Sequence, residues 1–263
     1  MNRMEQIQYL NRSLLSEMPE YKGQAAQFPQ ELTAQRLLLR SLMNVRPPMP
    51  LKQAFLAVQD ELLSAEAAEK GVVDGDTLPV SAVDPRIAVW QGDITRLKVD
   101  AIVDADNSGL LGCFCPCHGC IDNAIHSAAG LQLRDECNMI ISAQGHAEPT
   151  GQAKLTKAYN LPARHILHTV GPITSGRVTK RDRALLASCY RSCLELAAEK
   201  GLKSVAFCCI STGEFHFPND LAAEIAVETV EDFFKRDTSV QKVIFNVFKD
   251  IDKELYEKWL GVR

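Results

Sequence analysis

Short β-rich runs alternate with helical stretches in the second two thirds of the chain, and this alternation constrains the fold most. The β-rich runs cover residues 87–90, 101–103, 165–170, 204–210 and 243–248, and helical patterns cover residues 121–129, 181–200, 219–235 and 250–260. Strands that alternate with helices indicate a sheet covered by helices on both faces. The apolar runs at residues 204–210 and 243–248 are typical of central, buried strands. The sequence therefore predicts a three-layer α/β/α sandwich.

The first 70 residues follow a different pattern. Apolar side chains recur at helical spacing around residues 7–15, 34–43 and 51–70, and three prolines at residues 47, 48 and 50 separate the last two segments. Residues 71–85 contain Gly, Asp and Pro and form a soft boundary. We predict an N-terminal helical extension over residues 1–70, a connecting loop over 71–85 and an α/β domain over 86–263.

Composition excludes several classes of protein. The 263 residues are 46% hydrophobic and 24% charged, which is enough apolar material for a sizeable core. The net charge is −4 and the Lys and Arg residues are scattered, so we expect no nucleic-acid partner. No apolar run approaches the ~20 residues of a membrane span, and the N-terminus lacks a secretory apolar region. We expect a cytoplasmic protein without a membrane partner, because free thiols survive in that compartment.

Cysteines are concentrated in one short segment. The chain has nine, and four of them, Cys113, Cys115, Cys117 and Cys120, lie within residues 113–120 together with His118. Disulfides fit poorly at this spacing in a reducing compartment. Thiolate and imidazole are the usual ligands of zinc, whereas Cys117 and Cys120 are also spaced as a redox pair. The segment is a metal site, a redox site or an inert cluster.

Three loops follow predicted strands and hold polar residues at 93–95, 104–120 and 211–218. In α/β sheets, ligands bind beyond the carboxyl ends of the strands. Consecutive N–H groups in the loop at 211–218 could hold a pyrophosphate without a lysine, and Gly213 would let the backbone turn close to a ligand. Asp122 lies near the start of a predicted helix, where the helix dipole favours a carboxylate. These loops are the predicted binding region.

Five motifs in order resemble those of macrodomains. They are QGDIT at residues 91–95, VDAIV at 99–103, IDNAIHSAAG at 121–130, HTVGP at 168–172 and STGEFHFP at 211–218. The cysteine-rich loop at 111–120 resembles the microbial zinc-dependent branch, whose members also carry a helical N-terminal extension. The resemblance implies a mixed central sheet and a protein-ADP-ribose hydrolase that partners a sirtuin-type ADP-ribosyltransferase.

The resemblance also implies roles for individual residues. Cys113, His118 and Cys120 would bind Zn²⁺ and leave its fourth position open, as in catalytic zinc sites. Asp122 would orient or activate the attacking water, and Asn107 would bind the ribose. The remaining contacts to ADP-ribose would come from Asp93 and Ile94 at the adenine, and from Ser211, Thr212, Gly213, Glu214 and Phe215 at the pyrophosphate and distal ribose. We expect Glu214 to face solvent and His126 to be a structural helix residue.

One loop departs from the family pattern. Residues 104–107 read Asp-Ala-Asp-Asn, where macrodomains usually have Asn-Ala-Ala-Asn. If Asp104 and Asp106 were ionised and faced the pyrophosphate, they would repel it. They could equally cap backbone N–H groups.

The predicted reaction is zinc-dependent removal of mono-ADP-ribose from a protein, with an ester to Asp or Glu as the expected linkage because a carboxylate is a good leaving group. Zinc would either stabilise the charge that develops as the bond breaks or lower the pKa of water, and the sequence does not separate these roles. The main alternative is a non-catalytic ADP-ribose-binding module. A third is a zinc-stabilised interaction protein that binds no nucleotide.

Overall fold

The computed structural model describes residues 1–261, so the last two residues of the predicted α/β domain lie outside the described part. The helices are α1 (Arg3–Glu17), α2 (Lys22–Ala25), α3 (Leu32–Val45), α4 (Gln53–Lys70), α5 (Ile121–Ala129), α6 (Leu131–Gln144), α7 (Lys180–Glu199), α8 (Asn219–Phe233) and α9 (Asp250–Leu260). The strands are β1 (Val73–Asp74), β2 (Ile87–Gln91), β3 (Leu97–Lys98), β4 (Ala101–Asp106), β5 (Ala153–Lys157), β6 (His165–Val170), β7 (Ser204–Phe207) and β8 (Lys242–Val247).

The main sheet has the order β2-β8-β7-β4-β6-β5 over the described residues. All neighbouring strands are parallel except β5, which pairs antiparallel with β6. The mixed sheet predicted through the family resemblance is therefore confirmed. The parallel strands bring their carboxyl ends to one edge, which is where ligands bind in such folds.

Helices cover both faces of this sheet. On one face, α7 contacts β5 and β6, α9 contacts β2 and β8, and α8 packs between α7 and α9. On the other face, α5 contacts β4 and α6 contacts β5. All four residues of β7 are buried, in agreement with the predicted central strand. The three-layer prediction is confirmed.

The structure differs from the sequence prediction in three elements. The strand predicted over 204–210 ends at Phe207, where its pairing with β8 stops and the chain turns into the next loop. Neither α6 nor β5 was predicted. Helix α6 buries the charged residue Arg134 alongside its apolar face, and β5 is a mostly half-buried edge strand with two lysines. Both lack the clean apolar periodicity on which prediction depends.

The helices before residue 71 pack around their own apolar core. Ile7 and Leu10 of α1, Leu39 of α3 and Leu62 of α4 are buried together, and Leu131 of α6 joins them. Helices α3 and α4 also contact α5, which places the extension beside the cysteine-rich loop. The predicted loop over 71–85 contains β1, which pairs with β3. Within residues 1–261, no helix has the length and apolarity needed to cross a membrane.

Candidate active site

A cleft of about 900 Å³ lies at the carboxyl ends of β2, β4, β7 and β8. Every residue predicted from the sequence for the site lines it: Asp93, Ile94, Asn107, Cys113, His118, Cys120, Asp122, Ser211, Thr212, Gly213, Glu214 and Phe215. Arg36, Arg40 and Lys70 of the helical extension line it as well, and they were not predicted. The extension therefore forms one wall of the cleft.

The three predicted metal ligands come together in the cysteine-rich loop, beside the helical extension. The ligand atoms of Cys113, His118 and Cys120 lie within 4.8 Å of one another, and all three residues are half-buried. Within residues 1–261, this group includes no fourth Cys, His, Asp or Glu. Burial raises the pKa of the Cys120 thiol to about 12, so a cation is needed to hold it as a thiolate near neutral pH. Two thiols and one imidazole facing a cleft fit a zinc ion with an open coordination position.

The other two cysteines of the loop are turned away from this group. Cys115 is exposed. The Cys117 backbone is left-handed, with φ of 52°, and its Sγ lies 3.3 Å from the Ser41 Oγ and 3.7 Å from the Leu37 carbonyl oxygen. Cys117 thus faces α3 and is not in the group that Cys120 forms with the other two ligands, which argues against a redox pair.

Helix α3 holds the loop in place. The Asn44 Oδ1 accepts a hydrogen bond from the Cys117 N–H at 2.8 Å. The Arg40 guanidinium donates to the Asn123 Oδ1 at 2.8 and 3.2 Å and to the His118 carbonyl at 3.5 Å. Arg40 and Asn44 lie one helical turn apart on α3, and this pair of polar residues was the sequence signal for these contacts.

Helix α6 supports the loop from the other side. The buried Arg134 donates to the carbonyls of Leu111 at 2.6 Å and Met43 at 2.8 Å, and also to the Arg46 carbonyl. Its guanidinium carbon lies 4.5 Å from the centre of the Phe114 ring. Burial lowers the pKa of Arg134 to about 10, which still leaves it charged at neutral pH. The Arg134 guanidinium thus connects the cysteine-rich loop, α3 and α6.

Asp122 lies in the first turn of α5, two residues after the last metal ligand, and is buried. Its Oδ2 accepts from the Asn107 Nδ2 at 3.3 Å, and its Oδ1 lies 3.5 Å from the His126 Nε2. Burial, together with the neighbouring Asp106 carboxyl, raises the pKa of Asp122 well above its usual range. A carboxyl with a raised pKa at a cleft is suited to proton transfer.

Asp104 and Asp106 lie behind this carboxyl and are fully buried. The Asp106 Oδ2 is 2.6 Å from the His168 Nδ1, whereas neither oxygen of Asp104 has a hydrogen-bond partner among the described residues. Asp104 is therefore neither a backbone cap nor an exposed charge beside the pyrophosphate loop. His126, predicted to be a simple structural residue, faces both carboxyls with its Nε2 3.9 Å from an oxygen of each.

The predicted adenine end is built on the turn after β2. The Asp93 Oδ1 accepts from the Thr95 N–H at 3.0 Å and hydroxyl at 2.6 Å, and Lys70 Nζ lies 3.5 Å from its Oδ2. Burial raises the pKa of Asp93, but these donors outweigh burial and hold it below its usual value, so the side chain is ionised at neutral pH. Ile94 begins a single 3-10 turn, whose first N–H groups lack intrahelical acceptors.

The loop after β7 differs from the prediction for Gly213, and it adds a contact to the prediction for Glu214. The left-handed φ of 65° falls on Ser211, and Gly213 is not left-handed. The close approach occurs at Gly171, where a Cβ would lie 2.0 Å from the Ser211 Oγ, so that position requires glycine. Glu214 is exposed as predicted, but its Oε1 also lies 3.6 Å from the His118 Nε2. The loop therefore extends across the cleft to His118, one of the three predicted metal ligands.

Comparison with known proteins agrees with this geometry. Residues 103–226 match the Macro domain model. The chain is 53% identical over 263 residues to a protein-ADP-ribose hydrolase of Treponema medium, covering 99% of this chain and 100% of the relative. It is also 53% identical over 223 residues to a Staphylococcus aureus protein of the same name, covering 84% and 83%. The Trypanosoma brucei macrodomain in complex with ADP-ribose superposes with a TM-score of 0.66 at 33% identity, covering 84% of this chain and 95% of that one.

A parallel sheet with one antiparallel edge strand and a cleft at its carboxyl edge defines the class of protein. This chain belongs to the macrodomain family.

Proposed function

We propose that the protein is a zinc-dependent protein-ADP-ribose hydrolase that removes mono-ADP-ribose from Asp or Glu side chains. The observation that carries the proposal is the group of two thiols and one imidazole within 4.8 Å on the wall of the cleft, with Asp122 two residues further on. The names of the relatives support the substrate class. When bound by Cys113, His118 and Cys120, zinc would supply a Lewis acid that stabilises negative charge developing at the distal ribose.

The cleft residues suit ADP-ribose from end to end. The ionised Asp93 can accept from the exocyclic amine of adenine, and the Ile94 N–H at the start of the 3-10 turn can meet a ring nitrogen. Main-chain N–H groups of the loop from Ser211 to Phe215 would hold the pyrophosphate. This arrangement needs no lysine, in keeping with the net charge of −4.

Asp122 would perform the proton transfer, and Asn107 would hold its carboxyl in place. The Asn107 amide donates to Asp122 Oδ2 at 3.3 Å, which fixes the carboxyl and leaves Oδ1 free of any hydrogen-bond partner in the described structure. In our mechanism a water attacks the distal-ribose carbon that carries the ester, a new C–O bond forms as the bond from that carbon to the carboxyl oxygen breaks, and the proton of the water passes to the Asp122 carboxylate. The protein side chain departs as a carboxylate, which needs no proton, and Asp122 then returns its proton to solvent.

Two further proposals follow from the metal site and the family resemblance. The site requires reduced thiols, so we place the protein in a reducing compartment such as the cytoplasm. We also propose that a sirtuin-type ADP-ribosyltransferase produces its substrate. Modification of a protein by such a transferase, followed by its reversal on addition of this chain, tests the second proposal.

A turnover assay with and without a chelator tests the function. We expect zinc-loaded protein to release ADP-ribose from a protein modified on Asp or Glu. Chelation should abolish release and leave measurable ADP-ribose binding by calorimetry. Binding without turnover in the zinc-loaded protein would instead support a binding module, and full turnover without metal would refute the role of zinc.

A further inference from the structure

Behind the cleft lies a second group of metal-ligating side chains, at the carboxyl ends of β4 and β6 and on α5. Asp104, Asp106, His126 and His168 each offer one ligand atom, and these atoms lie within 4.8 Å of one another. All four are buried, and none is a ligand of the proposed zinc site. We propose that these residues form a second metal site, which binds a divalent first-row ion through two carboxylates and two imidazoles.

Unpartnered polar atoms point into this group. Both oxygens of Asp104, Oδ1 of Asp106 and both ring nitrogens of His126 have no hydrogen-bond partner among the described residues. A buried polar atom without a partner is destabilising, and five in one place are exceptional. A cation that takes one ligand atom from each residue would satisfy one oxygen of Asp104, Oδ1 of Asp106 and one ring nitrogen of His126.

The charges that the group would carry when ionised also favour a cation. Asp104 and Asp106 are adjacent in a dry environment, and no Lys or Arg of the described residues forms an ion pair with either. Two ionised carboxyls in such a place repel each other strongly. A divalent ion would neutralise both, in the same way that buried charges elsewhere are paired or coordinate metals.

The spacing fits metal coordination. The His126 Nε2 lies 3.9 Å from the Asp104 Oδ2 and 3.9 Å from the Asp106 Oδ1. Metal–ligand bonds of about 2.0–2.2 Å place neighbouring ligand atoms roughly 3–3.6 Å apart, so a small inward shift suffices. His168 has the support that metal-binding histidines usually have, since its Nε2 lies 2.9 Å from the Thr156 Oγ1. With Nε2–H donating to Thr156, Nδ1 faces the group, where an ion would replace its 2.6 Å contact with the Asp106 Oδ2.

The ligand set also indicates the kind of ion. Carboxylates favour hard ions such as Mn²⁺, and imidazoles favour Fe²⁺ and Zn²⁺, whereas the thiolates of the first site disfavour Mn²⁺. Asp106 lines the cleft, which gives the ion an entry path. Mn²⁺ is therefore the probe that separates the second site from the first.

The test is a titration of the zinc-loaded full chain with Mn²⁺. Electron paramagnetic resonance measures the concentration of free Mn²⁺ at each step. We expect one Mn²⁺ per chain and a rise in melting temperature. Asp104→Asn, which keeps the shape and removes the charge, should weaken Mn²⁺ binding at least about 100-fold and abolish the rise. His126→Gln provides a second variant should the first fold poorly. Asp220→Asn, at an exposed acid in the first turn of α8, is the matched control and should bind Mn²⁺ as the unmodified chain does.

Two results would overturn the proposal. One is an unmodified chain that takes up neither Mn²⁺ nor a second equivalent of Zn²⁺ when either is in excess. The other is equal uptake by Asp104→Asn. Either would leave a buried group of neutral carboxyls and histidines that share protons. Cys113→Ser must leave the Mn²⁺ stoichiometry unchanged, so failure of the zinc proposal and failure of this one are distinguishable.

Discussion

Two polar groups flank Asp122, and they differ in exposure and in origin. The cysteine and histidine group opens on the cleft, and its three ligands come from one loop of eight residues. The group of Asp104, Asp106, His126 and His168 is buried and is assembled from two strands and a helix. An ion in the first group would meet a substrate directly. An ion in the second group, which would enter past Asp106, would change the charge behind Asp122.

The comparison separates residues expected to act in the reaction from residues expected to act on stability and metal content. The proposed zinc ligands face the cleft, where their ion would act on a bound molecule, so their loss should abolish turnover. Buried ligands act through their neighbours, because the His126 Nε2 is 3.5 Å from the Asp122 Oδ1 and touches no part of the cleft surface. Their loss should first change stability and metal content. The predictions below test this division, from the largest effect to the smallest.

Removal of one zinc ligand should have the largest effect. Cys113→Ser or His118→Ala leaves two protein ligands, and we expect loss of zinc and a fall in turnover of more than about 100-fold. Metal analysis and ADP-ribose release measure both. Cys115→Ser, at an exposed thiol of the same loop outside the group, is the matched control and should keep its zinc and activity. Equal zinc content in the ligand variants would contradict the assignment.

Asp122→Asn should lower kcat by about 10²–10⁴-fold, the usual contribution of a positioned acid or base. Zinc content should not change, because Asp122 is not in the ligand group. The amide can still bond with Asn107, which keeps the fold. A variant that loses both zinc and turnover would show that Asp122 supports the metal loop instead of transferring a proton.

Arg40→Met removes the hydrogen bonds from α3 to Asn123 and to the His118 carbonyl. We expect zinc affinity to fall about 10–100-fold, as it does when residues that orient metal ligands are replaced. A competition titration with a chromogenic chelator measures it. Arg12→Met, at an exposed residue of α1 away from the cleft, should behave as the unmodified chain. Equal affinity in both variants would mean that the extension does not stabilise the loop.

The smallest predicted effect concerns the buried group in metal-free protein. Burial raises the pKa of Asp106 to about 7, so the folded chain binds one more proton than the unfolded chain between about pH 4 and 7. Its contribution to the free energy of unfolding therefore falls as pH rises through this window. Asp106→Asn removes this decrease in the free energy of unfolding. We expect equal stability of the two proteins near pH 4 and a more stable variant at pH 8, by a few degrees in melting temperature.

His168 contributes with the opposite sign in both proteins. Burial lowers its pKa to about 4, so the unfolded chain binds the extra proton between about pH 4 and 6.5, and this contribution rises with pH. Because the His168 Nδ1 lies 2.6 Å from the Asp106 Oδ2, the difference between the proteins reports the titration of this pair. A difference that does not change with pH, measured by thermal unfolding in chelator, would show that Asp106 is ionised throughout.

The sequence predicted the sheet because buried parallel strands are continuous apolar runs. The close spacing of four cysteines and a histidine marked their loop as a metal, redox or inert cluster, and the resemblance to macrodomains supplied the three expected zinc ligands. The buried group has no such spacing, since Asp104 and His168 become neighbours only through the register of β4 with β6. Helix α6 was missed because a charged residue, Arg134, occupies one of its buried positions. The reason for this burial becomes visible only in the structure, where Arg134 donates to the cysteine-rich loop.

The contacts from α3 to the cysteine-rich loop also bear on inhibition. A compound that displaces Arg40 from the His118 carbonyl would weaken the proposed zinc site without imitating the nucleotide. A macrodomain without these helices would offer no such contact, so selectivity would come from architecture. Fragments beginning at residue 86 would lack it too, and screens should use the full chain.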